Sequence, residues 1–452
     1  MIMNDEQWKK LDHSFLWHPF TQMREWMEEE PCIIDRGEGN YLVDLRGRRY
    51  LDGVSSLWCN LHGHRRRELD EALKKQLDRI AHSTFLGLSH VPGIQLAQRL
   101  IEVAPSGLRR VFYSDNGAGA VEVALKMAFQ YWQLKGKTQR TRFVTLAEAY
   151  HGDTVGAMSL GFSETFHRFH RPLLFPALRI PPPHVFRYYR RMSEPDALRA
   201  SLEEAEALIS REGETLAALV VEPLMQGAAG MWSQPKGYLR ALSDLCRRHG
   251  ILFIVDEVAT GFGRTGRLFA CEHEGVTPDL LCLAKGITGG YLPLAATLAT
   301  EDVFAAFLGD YNEFKSFFHG HTYTGNPLAC AVALASLDLF KTEGVLEGMQ
   351  PRIRRLRARL TEDTLALAHV GDVRQWGFMV GIELVEDKAT LKGYPPVKRM
   401  AHRVVLEARH NGVIVRPLGD VIVLMPPLSI SDQELERLLE VVHGSIKTVT
   451  ES

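Results

Sequence analysis

The chain's 452 residues can bury a large core and predict two domains, or one large domain with a smaller one appended. Its 53 Lys and Arg against 55 Asp and Glu give a net charge of −2, which leaves no electrostatic footprint for nucleic acid or an acidic membrane. Six cysteines without a C-x-x-C pair argue against a disulfide framework and a zinc site, so no metal is expected and the compartment reads as reducing and cytoplasmic. No apolar run approaches membrane-spanning length, and the opening MIMNDEQWKKLDHSF lacks the apolar core of a signal peptide.

Residues from about 5 to 30 read as irregular and aromatic-rich, with His18-Pro19 breaking any helix. Their aromatics either wrap another surface or pack on their own domain. Strand candidates follow at Cys32–Ile34, Tyr41–Leu45 and Arg49–Asp52, punctuated by Gly37, Gly39 and Gly47. Ser55–His64 reads as a loop, and helical spacing resumes at Leu69, Leu73, Leu77 and Ile80. From Arg110 onward strands alternate with helices. The strands are Arg110–Ser114, Arg142–Leu146, Leu216–Val221, Ile251–Val255, Leu280–Ala284 and Ala295–Thr300. Ala120–Trp132 and Tyr238–Arg248 are helices between them. This is the pattern of an α/β doubly wound, mostly parallel sheet. The proline-rich Arg171–Pro183 reads as a surface loop. After about Phe340 amphipathic helices, RIRRLRARL among them, alternate with short strands at Gly377–Leu384, Val413–Arg416 and Val421–Met425. Ser431–Glu434 forms a capping box that opens the last helix. A smaller α+β domain is expected there, joined by the N-terminal strands. The expected limits are 66–339 for the large domain and 1–65 with 340–452 for the small one.

The stretch Ile251–Gly290 holds the centre. Ile251-Leu-Phe-Ile-Val255 runs into Asp256-Glu257, and Leu280-Leu-Cys-Leu-Ala284 delivers Lys285 onto Gly286. Apolar runs without alternation are strands buried on both faces, and parallel sheets place their chemistry beyond the strands' carboxyl ends. A carboxylate ending such a strand needs a cation, either a protonated pyridine nitrogen or an ordinary arginine. A lysine there either snorkels or has a depressed pKa suited to Schiff-base formation. Ser114-Asp-Asn-Gly117-Ala118-Gly119 turns a strand into a helix whose first N–H groups are unpaired, a cradle for a phosphate. The rival readings are plain punctuation and a dinucleotide fingerprint, the latter lacking its third glycine at Glu122. Tyr150, beyond Arg142–Leu146, either stacks on a planar ring or is a core tyrosine. Taken together these features describe a flat ligand, cationic at one end, phosphorylated at the other and bearing an aldehyde: pyridoxal phosphate.

Val255-Asp256-Glu257-Val-x-x-Gly261-Phe-Gly-Arg264-Thr-Gly266 and Ala284-Lys285-Gly286 resemble the class-III pyridoxal-phosphate aminotransferases of fold type I. So do Tyr150-His151-Gly152, Val221-Glu222-Pro223 and His319-Gly-His-Thr322-Tyr-Thr-Gly325-Asn326-Pro327. The resemblance covers essentially the whole chain. Within the family it is nearest to the branch that aminates 8-amino-7-oxononanoate in biotin biosynthesis. Trp17–Met23, Gly53–Trp58, His62-Gly-His64, Lys126–Trp132, Phe269–His273 and Arg416–Gly419 carry this.

The resemblance implies that Lys285 bonds the cofactor aldehyde and then moves protons, and that Asp256 keeps the pyridine nitrogen protonated. Gly117 and Ala118 would bind phosphate, with Glu222 among the cofactor-site residues and Tyr150 on the ring or at the substrate. His321 and Thr322 would reach the phosphate of the other subunit's cofactor, implying a homodimer with shared active sites. Arg416 would hold a substrate carboxylate, with Phe20, Trp58, Arg264 and Gly320 near the substrate. Phe20 and Leu57 stand where the best-known form has tyrosine and tryptophan. This inclines the amino donor towards L-lysine, with S-adenosylmethionine the other candidate. Another class-III aminotransferase acting on an ω-amino acid or polyamine is the near rival, and a nucleotide-binding α/β protein the distant one.

Overall fold

The computed structural model describes residues 4–190 and 192–451; Met1–Met3 of the N-terminal stretch and Ser452 lie outside the described residues. At its centre is a seven-stranded sheet. In spatial order its strands are Leu108–Ser114, Ala295–Thr300, Leu280–Leu283, Leu252–Asp256, Leu216–Val221, Arg142–Leu146 and Leu178–Ile180. Every neighbouring pair is parallel except those made by Ala295–Thr300, which is antiparallel to both its neighbours. The central strands are apolar without alternation because both faces are covered. Phe253 and Val255 enter one core, while Leu252 and Ile254 enter the core on the opposite face.

The helix Gly117–Leu134 covers the second face. Its Ala120 carbonyl accepts from Thr297 Oγ1 at 2.8 Å, tying the helix to the antiparallel strand. The edge strand Leu178–Ile180 falls inside the proline-rich stretch expected to be a loop. Prolines are tolerated at a sheet edge, where one row of N–H groups has no ladder to serve, and that is where this strand lies.

Strands from both ends of the chain share a second sheet. Ile34–Glu38, Tyr41–Asp44 and Arg49–Asp52 form an antiparallel meander, and Val413–Ile414 adds to it in parallel beside Leu51–Asp52. A third, antiparallel sheet runs Val370–Trp376, Met379–Leu384, Val421–Leu424, Arg416–Leu418. Ser431 caps the last helix, Asp432–Thr450, with the expected capping box. The N-terminal segment is less irregular than its aromatics suggest. Asp5–Phe15 is a helix, opened by a capping box between Asn4 and Gln7. Among the described residues no helix is long and apolar enough to cross a membrane.

Candidate active site

Five strands bring their carboxyl ends to one rim of the large sheet, and chemistry-bearing residues follow each. Gly117 and Ala118 come after Leu108–Ser114, Tyr150 and His151 after Arg142–Leu146, and Glu222 after Leu216–Val221. Asp256 closes Leu252–Asp256, and Lys285 follows Leu280–Leu283. These residues and Trp58 line one cleft of about 470 Å³.

Asp256 is buried, and its partner is a histidine rather than an arginine. His151 Nδ1 lies 2.7 Å from Asp256 Oδ2, and Val258 N–H donates to Oδ1 at 3.0 Å. Burial acts to lower the His151 pKa, but the hydrogen bond and negative charge of Asp256 prevail and raise it above the ordinary value. The carboxylate keeps lone pairs free for a further cationic donor from the cleft. Glu222 is pushed up to about 7 by burial, opposed by the charge of His151, and accepts Tyr150 N–H and Gly227 N–H at 3.0 Å each. It thereby fixes the backbone on which Tyr150 stands.

Lys285 is half-buried at the floor of the cleft, and desolvation lowers its pKa against the opposing charges of Asp256 and Glu222. Its backbone is left-handed, at φ 43°, a conformation worth about 1–3 kcal/mol of strain in a non-glycine residue. The side chain is thus aimed by the backbone, with Nζ 5.4 Å from the centroid of the Trp58 ring.

At the far end of the cleft, Asn116 caps the helix Gly117–Leu134 by accepting Gly119 N–H at 2.8 Å, leaving the Gly117 and Ala118 N–H groups for a ligand. The approach leaves no room for more atoms. A Cβ on Gly117 would fall 2.5 Å from Val258 Cγ1, and one on Gly152 would fall 2.4 Å from Ala118 Cβ.

Tyr150 Oη donates to Asp153 Oδ2 at 2.8 Å. The other carboxylate oxygen lies 3.4 Å from His167 Nε2. His167 Nδ1 accepts Ser163 N–H at 3.2 Å, which places the neutral imidazole's proton on Nε2, facing Asp153. The tyrosine's proton is therefore committed to Asp153, and its oxygen lone pairs remain for the cleft. Burial, then the Asp153 hydrogen bond, push the phenol pKa well above its ordinary value.

Arg416 is half-buried near Tyr150; burial lowers its pKa while the tyrosine's charge would raise it. Among the described residues its guanidinium has no carboxylate partner. A desolvated guanidinium is ordinarily paired, so this one is available to an anionic group.

Five expected site residues stand elsewhere in the single chain. Arg264, expected near the substrate, does not line the cleft. It is 1% exposed, and its guanidinium donates to Asn60 O at 2.9 Å and Pro426 O at 2.8 Å. The turn Gly261–Gly266 carries it behind the cleft wall, where it binds backbone instead of ligand. Phe20 is 62% exposed and meets Phe166 edge-on at 5.9 Å. Gly320 and Thr322 are exposed. His321 is exposed too, with Nδ1 2.9 Å from Asp115 Oδ2 beside the helix start. The roles of His151 as the Asp256 partner, and of Asp153 and His167 behind Tyr150, escape the sequence reading. Tyr150-His151-Gly-Asp153 is a local signal for the first two, but nothing local marks His167.

The cleft fits pyridoxal phosphate. It joins two free helix N–H groups to a buried carboxylate and a half-buried amine, with Val258 and Ala118 too close to the glycines for side chains. The family model described as "Aminotransferase class-III" matches residues 23–446. An adenosylmethionine-8-amino-7-oxononanoate aminotransferase of Nitratidesulfovibrio vulgaris is 59% identical over 445 residues, 98% of this chain and 82% of that protein. The crystal structure of an enzyme of the same name from Methanocaldococcus jannaschii superposes with a TM-score of 0.93 at 47% identity, over 99% of this chain and all of that one. An amine transaminase from an uncultivated Pseudomonas species, solved in its PLP-bound form, gives a TM-score of 0.91 at 37% identity, over 96% of this chain and 98% of that one. The chain belongs to the class-III aminotransferases, α/β enzymes of fold type I whose cofactor is pyridoxal phosphate.

Proposed function

We propose that this aminotransferase converts 8-amino-7-oxononanoate to 7,8-diaminononanoate in biotin biosynthesis. The observation that carries the reading is Arg416, a half-buried guanidinium near Tyr150 that has no carboxylate partner among the described residues. A long keto acid with a terminal carboxylate satisfies both ends. The names of the Nitratidesulfovibrio and Methanocaldococcus proteins support the same substrate and take adenosylmethionine as donor. S-adenosylmethionine is the amino donor, with L-lysine as the second candidate on account of Phe20 and Leu57. Both side chains are exposed and neither carries a hydroxyl or an indole.

Pyridoxal phosphate, when bound, supplies an aldehyde for the amino group and a conjugated ring that delocalises the electron pair left by proton removal. Lys285 would supply the amine that holds the aldehyde end of the group, and the same amine, its pKa lowered by burial, would accept and return a proton at the substrate. Asp256, steadied by His151, keeps the ring nitrogen protonated. Gly117 and Ala118 hold the phosphate on the helix start. Glu222 holds the Tyr150 backbone, and Tyr150 offers its lone pairs to an incoming ammonium. Trp58 bounds the substrate channel.

The working enzyme is a cytoplasmic homodimer, with residues 66–339 as the cofactor domain and 1–65 with 340–452 as the smaller one. The exposed Gly320, His321 and Thr322 of one protomer then complete the phosphate site of the other. Tyr311 and Phe318, on the same segment, are 96% and 81% exposed, apolar surface that a second copy would cover.

Purified protein mixed with pyridoxal phosphate should gain a visible absorbance band that Lys285→Ala abolishes. Incubation with 8-amino-7-oxononanoate and either donor should then yield the diamine. A cofactor-loaded enzyme that aminates simple ω-amino ketones but not this keto acid would overturn the substrate assignment and favour a general amine transaminase.

A further inference from the structure

We propose that Asp52, Ser56 and His64 form a clamp that holds Trp58 against Lys285, making them positioning residues that set the width of the substrate channel. Trp58 sits on a turn of unusual backbone. Ser55, Ser56 and Trp58 have φ of 53°, 59° and 65°, so three of four consecutive non-glycine residues are left-handed. Such a turn persists only when its surroundings over-determine it.

Those surroundings are polar and buried. The Asp52 carboxylate is fully enclosed and accepts Ser56 N–H with both oxygens at 2.8 Å. Ser56 Oγ donates to it at 3.1 Å, and His64 Nε2 lies 3.0 Å away. On the other flank Ser55 Oγ donates to Met425 O at 2.7 Å. Behind the turn, the Arg264 guanidinium bridges Asn60 O and Pro426 O. Gly53 lets the chain lie flat at the start, since a Cβ there would meet Ile414 O at 2.8 Å.

The clamp's output is the indole. Trp58 packs among Met225, Met379 and Met425, near Gly227, whose Cβ would fall 3.2 Å from Trp58 Cζ3. Its Nε1 is buried and has no hydrogen-bond partner among the described residues, so no hydrogen bond of the ring itself holds the indole in place. Thioethers are adaptable neighbours that re-form around a displaced ring. The rigidity therefore comes from the backbone turn, and the turn's from Asp52.

The inference rests on the cleft being an aminotransferase substrate site, so its test includes an arm independent of turnover. Tryptophan emission and acrylamide quenching are recorded on cofactor-free Asp52→Asn, Ser56→Gly, His64→Leu and His64→Gln. Each spectrum is differenced against the same protein carrying Trp58→Phe, which isolates Trp58. Asp52→Asn and His64→Leu should red-shift this emission and speed its quenching, and Ser56→Gly should do so to a lesser degree. His64→Gln, which keeps a donor near Nε2, should match the parent. Ser56→Gly should not lower Tm, because glycine is at ease at φ 59°. In the loaded enzymes, kcat/KM for a branched aryl amine relative to a linear amine donor should rise about tenfold where the turn is loosened, and recover in His64→Gln.

Unchanged Trp58 emission in both Ser56→Gly and His64→Leu would overturn the clamp, as would selectivity ratios that stay constant while all rates fall together. If Asp52→Asn does not fold, the other variants still decide. Should the keto acid prove not to be the substrate, the emission arm stands, so the two failures are distinguishable.

Discussion

His151 Nδ1 stands 2.7 Å from Asp256 Oδ2 with both side chains out of water, so the carboxylate's charge is shared before any ligand arrives. Asp256→Asn should lower kcat by about 10²–10⁴, the usual span for a lost protonic contribution, while the protein still takes up the cofactor. His151→Phe removes the partner but keeps Asp256. It should destabilise the fold by about 1–3 kcal/mol, because a buried carboxylate then keeps only Val258 N–H. Steady-state kinetics and urea unfolding separate the two effects. An Asp256→Asn enzyme with unaltered kcat would remove Asp256 from the reaction.

Arg416 carries the substrate assignment, so its variants report on carboxylate recognition. A charge-assisted hydrogen bond is worth about 1.5–3 kcal/mol, so Arg416→Ala should raise KM for the keto acid about 10–100-fold. Arg416→Lys should recover part of this, since it restores charge without the bidentate fork. Equal losses for keto substrates with and without a carboxylate would place Arg416 in another role.

Ser163 N–H donates to His167, and His167 and Tyr150 both donate to Asp153, an arrangement that predicts a rescue pattern. His167→Leu should cut kcat/KM for the amino donor about tenfold, the worth of one misdirected hydrogen bond, and His167→Gln should restore it. Single-turnover measurements of the donor half-reaction read this directly. Identical rates in the two variants would show that the imidazole does not direct Tyr150.

His184 predicts an acid-sensitive element remote from the cleft. It stacks on Trp232 at 4.7 Å, and burial, then the charges of Arg374 and Arg187, lower its pKa to about 3. Between that value and the ordinary 6.5 the unfolded chain binds a proton that the folded chain refuses. The stability is therefore complete above 6.5 and is lost as pH falls towards 3, about 2 kcal/mol of it by pH 5. His184→Phe keeps the stacking and removes the proton, so its urea midpoint at pH 5 should approach its midpoint at pH 8. A variant as acid-sensitive as the parent would point to other groups, His62 first, which burial lowers to about 4.

Much of the cofactor end was legible because it is built where apolar strands stop. Asp256 and Lys285 each end or follow an uninterrupted buried run, Gly117 follows a strand buried at its carboxyl end, and the physics that makes such runs strands also fixes which end carries chemistry. Arg264 misled because closeness in sequence to Asp256 is not closeness in space; a glycine turn reverses the chain behind the wall, and the guanidinium serves two carbonyls. The helix Asp5–Phe15 was hidden by its aromatics, although Asn4 and Gln7 spell its capping box. Leu178–Ile180 was hidden by prolines that only an interior strand forbids. His167 and His64 could not be read at all. Each acts on a carboxylate held by a different loop or strand, a pairing that no periodicity encodes.

The lone antiparallel strand has a consequence for biogenesis. Leu108–Ser114 touches the large sheet only through Ala295–Thr300, and Arg49–Asp52 waits for Val413–Ile414. On the ribosome, the sheet edge must stay open while roughly half of the remaining chain is made, and the meander while nearly all of it is. Loop closure over such spans is slow, and unpaired edges are sticky in the interval. Refolding should accordingly be slow and concentration-sensitive, with yield set by how long those two early segments stay without their late-arriving neighbours.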